Sequence, residues 1–74
     1  MSDLQVLEAE IKRLCDEART MLSTPHIESV PAVELVVALR ECARHALGFG
    51  LIGGESQLQQ AADDLDVRVR HECK

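Results

Sequence analysis

Leu4, Leu7, Ile11, Leu14, Ala18 and Met21 recur at spacings of three, four, three, four and three. That period lines them along one stripe of an α-helix and predicts a helix over residues 2–23. Ser2, with Gln5 three residues later, makes an S-x-x-Q capping box at its start. Asp3 suits the positive end of the helix dipole. Pro25 pushes Thr24 out of the helical region, so the helix is expected to stop near Ser23. Cys15 and Leu22 flank the stripe and widen it, which favours packing inside a globular bundle over a free-standing coiled coil.

A second helix is expected over residues 30–52, with Ser29 as its cap and Pro31 tolerated in its first turn. Its apolar arc holds Leu35, Val36, Leu39, Cys42, Ala43, Ala46 and Leu47. This arc spans roughly 200° of the wheel, more than one neighbour covers. The helix therefore belongs between two others, or between one helix and a partner chain. Its end has two candidates, Gly48 and the Gly53-Gly54 pair. Leu51 falls on the rim of the apolar arc if the helix continues, which favours the later stop.

Ser56 and Gln59 give a second capping box and predict a third helix over residues 56–72. Leu58, Ala62, Leu65, Val69 and Cys73 keep a helical period, although residues 65–70 also alternate like a strand. The fold class that follows is all-α. It is a single small three-helix bundle spanning 1–74, with completion by dimerisation left open.

Composition narrows the use of such a bundle. The 74 residues include one aromatic, Phe49, too few for stacking single-stranded nucleic acid. The net charge of −5 is spread as −2, −1 and −2 over residues 1–24, 25–54 and 55–74. An acidic chain disfavours direct binding to a phosphate backbone and permits binding to a basic protein surface. Cys15, Cys42 and Cys73 follow no disulfide-framework spacing, and Met1-Ser2-Asp3 is acidic where a signal peptide is basic. The chain reads as cytoplasmic and reduced, with no membrane partner.

Candidate chemistry is sparse. Cys42, His45, His71 and Cys73 supply the ligand types of a structural zinc site. However, His71 and Cys73 point about 200° apart on a helix, so one would have to leave it. No cofactor or metal is assigned, and no catalytic residue is named. The three thiols lie on or beside apolar faces, the setting of inert cysteines. Asp63, Asp64 and Asp66 form the densest acidic cluster and read either as a solvated face or as a contact for a basic partner. Val37, Phe49, Leu51 and Ile52 are the apolar anchor candidates, with capping of the core as the competing role.

The layout of a short, acidic, all-helical chain with few aromatics is similar to small type III secretion chaperones and to some phage-borne anti-CRISPR inhibitors. That likeness assigns no residue a role. The expectation is a non-enzymatic protein-binding module: an adaptor, chaperone or regulator acting through a helix face, with a homodimer left open. The alternatives are an acidic inhibitor blocking a basic nucleic-acid-binding surface, and a structural zinc-binding helical domain.

Overall fold

The computed structural model describes residues 2–72, the last of these by its backbone alone. Three helices account for nearly all of them: α1 (Asp3–Ser23), α2 (Ser29–Gly48) and α3 (Ile52–Glu72). The stretch over 65–70 is helical throughout, so the alternating reading gives way to the helical one. Leu65 and Val69 point inward there, while Val67 stays exposed.

The helices pack side by side into a rod of 42 × 17 × 17 Å. α2 and α3 make the most extensive contact, and α1 lies against both. Two contacts set the directions of α1 and α3. Gly54, at the start of α3, faces Ile11 in the first half of α1. Arg68, near the end of α3, donates to the carbonyls of Leu22 and Thr24 at 2.9 and 3.0 Å. These two helices therefore run parallel, and α2 returns between them in an up-down-up bundle.

The core is wholly apolar among the described residues. Leu39, Leu58 and Leu65 are its largest fully enclosed side chains. Ala18, Ala32, Ala43, Ala46 and Ala62 are also fully buried and let the backbones approach closely. Of the opening stripe, Leu7, Ile11, Leu14 and Ala18 are buried, and Met21 packs partly against the core. Leu4 is exposed. It sits seven residues before Ile11, where the first turn of α1 overhangs the start of α3. Ile27 is buried although it lies in the connection and follows no helical period.

Local chemistry fixes the ends of α1. The Gln5 N–H donates to Ser2 Oγ at 3.3 Å, so Ser2 is the N-cap of α1. At the other end, the Arg68 guanidinium supplies donors to the Leu22 carbonyl in the last turn of α1 and to the carbonyl of its C-cap, Thr24. It also places a positive charge at the negative pole of that helix.

The α2–α3 junction departs from the expected boundaries of 30–52 and 56–72. α2 stops at Gly48 instead of near Gly53, and α3 starts at Ile52 instead of Ser56. The cause is a Schellman motif. Gly50 adopts φ +78°, the left-handed region that glycine enters at no steric cost. Its N–H donates to Leu47 O at 3.0 Å, and the Leu51 N–H reaches back to Ala46 O at 2.8 Å. The Leu51 carbonyl then accepts from the Glu55 N–H at 2.9 Å and opens α3. Three residues thus end one helix and begin the next. Ser56 falls inside α3 and Ser29 inside α2, so neither caps; Glu28 holds the N-cap position of α2 without a side-chain bond.

Replacing Gly50 with alanine is expected to cost about 1 kcal/mol of unfolding free energy, because the left-handed conformation strains any Cβ. Gly53 is helical with open space around it, so Gly53→Ala is expected to add a few tenths of a kcal/mol. Urea denaturation of the two variants against the parent chain checks both signs. Leu58→Ala removes about 3 kcal/mol or more, comparable with the roughly 3–5 kcal/mol that so small a core supplies. Its circular dichroism is expected to show a largely unfolded chain at 37 °C.

Candidate functional site

An ion pair joins α2 to α3 on their outer surface. Arg40 Nη2 of α2 lies 3.3 Å from Asp63 Oδ1 of α3, and both side chains remain accessible to water. Val33 and Leu47 stand seven residues before and after Arg40. They therefore share its flank of the helix. On α3, Ile52 lies eleven residues before Asp63 and Val67 four after it, again on the same side. Because the two helices are antiparallel, Val33 and Val67 fall towards the α1–α2 connection. Leu47 and Ile52 fall towards the Phe49 turn.

All four of these side chains are about half exposed or more: Val33 49%, Leu47 59%, Ile52 69% and Val67 54%. Val37, four residues after Val33 and three before Arg40, borders the face and is 50% exposed. Phe49 closes its lower end and is also exposed. Leu51 turns the other way: it is partly buried and packs against the core.

The acidic trio does not gather into one patch. Asp63 faces α2 through Arg40. Asp64 lies on the side of α3 that faces α1, where its Oδ1 accepts from Gln60 Nε2 at 3.0 Å. Asp66 pairs with Arg70 one turn on at 3.1 Å. Each carboxylate thus has a polar partner within the chain, and two of the three charges are offset by arginine.

A concavity runs between α1 and α3. It is a shallow, open groove of about 540 Å³ with Cys15, Ala18 and Ala61 among its lining and Arg19, Gln57 and Asp64 along its rim. Ala18 is fully buried there, while Cys15 is half-buried. Burial pushes the Cys15 thiol up, with Asp16 adding to the rise and Arg19 opposing it. Cys42 is buried in the core, and its thiol is pushed up by that burial and then by Glu10. Both groups are therefore held as neutral thiols, which are poor nucleophiles and poor metal ligands.

Of the four zinc-ligand candidates, Cys42 is buried, whereas His45 and His71 are exposed. Cys73 lies outside the described residues. No cluster of three or more His, Cys, Asp or Glu side chains with metal-holding geometry occurs among the described residues. Among the described residues, no helix is long and apolar enough to cross a membrane.

Val33, Arg40, Leu47 and Val67 were absent from the candidate residues expected from sequence. The heptad spacing of Val33, Arg40 and Leu47 was a usable signal. It was obscured because Leu47 also fits the rim of the buried arc of α2. Nothing in the spacing pairs Arg40 with Asp63, since that contact depends on where the α2–α3 turn falls. Against known proteins, the chain matches no family model, no curated sequence and no solved structure.

The raised thiols fix a pH response. A thiol held neutral in the fold stabilises it below the ordinary thiol value of 9.0. That contribution is lost as pH rises through the higher folded value, because the unfolded chain ionises first. Thermal stability is therefore expected to fall from about pH 9 upwards, and a Cys15→Ser/Cys42→Ala variant should show a shallower fall. Melting curves between pH 7 and pH 10.5 check it.

Proposed function

We propose that this chain is a non-enzymatic protein-binding module, an adaptor or regulator that works through the outer face of α2 and α3. One observation carries the reading. Of the nine large hydrophobic side chains exposed among the described residues, six lie on or at the edge of this face: Val33, Val37, Leu47, Phe49, Ile52 and Val67. Such side chains concentrated on one side of a small domain mark an interaction surface. The ion pair at its centre supplies directional contacts that an apolar patch lacks. Phe49, the single aromatic, stands at one end as the natural anchor.

The reading as an acidic inhibitor of a basic nucleic-acid-binding surface gains no support from the carboxylates. Two of the three are paired with arginine, and the trio is split between two sides of α3. A partner drawn to this module is therefore held mainly by apolar burial. Its affinity should depend only weakly on ionic strength.

Capture experiments from the native host test this reading. Immobilised parent chain is expected to retain a specific protein, and Leu47→Glu or Phe49→Ala should reduce its recovery at least tenfold. Lys12→Glu, on the remote surface of α1, should leave recovery unchanged. Equal recovery by all four baits would reject the α2–α3 face as the binding surface.

A further inference from the structure

Resting on the reading of this face as a protein-binding surface, we infer that its occupant is a second copy of the same chain. The copy is stacked face to face about a twofold axis that runs along the rod. The first support is charge. A face carrying Arg40 beside Asp63 can meet its own copy in two symmetric ways. With the axis across the helices, α2 lies over the partner's α2, and Arg40 meets the partner's Arg40. Like charges then oppose each other at the centre.

With the axis along the helices, α2 lies over the partner's α3. Arg40 then faces the partner's Asp63, and Asp63 faces the partner's Arg40. Four charges alternate in sign around a ring, each keeping its own intrachain partner and gaining a second. The same operation sets apolar against apolar. Val33 comes over the partner's Val67, because both lie towards the α1–α2 connection. Leu47 comes over the partner's Ile52, because both lie towards the Phe49 turn. One symmetry operator therefore satisfies the centre and both ends of the face.

The second support is size. A long side of the rod measures 42 by 17 Å, about 700 Å² in projection, which is of the same order as the roughly 800 Å² of accessible surface each partner buries in a standard interface. Val33, Val37 and Phe49 alone would fall short of that area. The whole α2–α3 face, used by a partner of equal length, comes nearer to it, and a second copy has that length by construction.

Sedimentation or light scattering on the full chain tests the inference. The parent chain is expected at twice its monomer mass at micromolar concentration. Arg40→Asp and Asp63→Arg each place like charges around the ring and should raise the dissociation constant at least tenfold. An equimolar mixture of these two variants restores opposite charges across the interface. It should form a 1:1 dimer that neither variant forms alone, and circular dichroism of each variant confirms that it is folded. Leu47→Glu should weaken self-association by a similar factor without touching the ring.

A parent chain that stays monomeric at hundreds of micromolar overturns the inference, as does a dimer that survives both charge reversals and Leu47→Glu. In the monomeric case, a captured protein that is still lost on Leu47→Glu leaves the binding face standing with a different occupant. Capture that ignores Leu47 removes the face itself.

Discussion

Everything on the outer surface depends on the three-residue turn between α2 and α3. Among the described residues Gly50 alone enters the left-handed region, and Leu51 both completes the end of α2 and opens α3. So short a connection leaves the two helices little freedom to slide. It sets their register, and the register brings Arg40 level with Asp63. Had α2 run on to Gly53, that pairing would be lost, and the residues around it would face other neighbours.

The rest of the bundle reinforces this hairpin with little polar chemistry. Buried alanines keep the helix axes close, and the enclosed leucines fill the space between them. Arg68 is the main polar tie between α3 and the end of α1. Its two hydrogen bonds are charge-assisted, and such bonds are worth more than neutral ones. A core without polar groups has little to enforce a unique arrangement beyond shape. The fixed turn and the Arg68 clasp supply that specificity.

Most of the fold was legible in the chain because helical periodicity is a strong, local signal. Leu7, Ile11, Leu14 and Ala18 announced α1, and Leu58, Ala62, Leu65 and Val69 announced α3 despite an alternating run in its second half. The boundaries at the second turn were misread for a physical reason. Serine followed three residues later by glutamine resembles a cap wherever it occurs, but Gly50 had already ended α2, and α3 could begin at once. Gly53 and Gly54 looked like a stop and instead lie in the first turn of α3, where Gly54 lets Ile11 approach. Ile27 escaped notice because a single buried residue in a connection leaves no period. The candidate site was legible only in part. Val37, Phe49 and Ile52 are exposed, whereas Leu51 is drawn towards the core.

The parallel course of α1 and α3 has a mechanical consequence. With an odd number of helices, the described chain enters at one pole of a 42 Å rod and leaves at the other. Tension applied between residues 2 and 72 would not peel one helix away turn by turn. It would drag α1 and α3 past each other along their length and load the Ile11 and Arg68 contacts together. A rod held this way yields by sliding as a unit, so its resistance to pulling is set by the barrier to that slide rather than by its modest equilibrium stability.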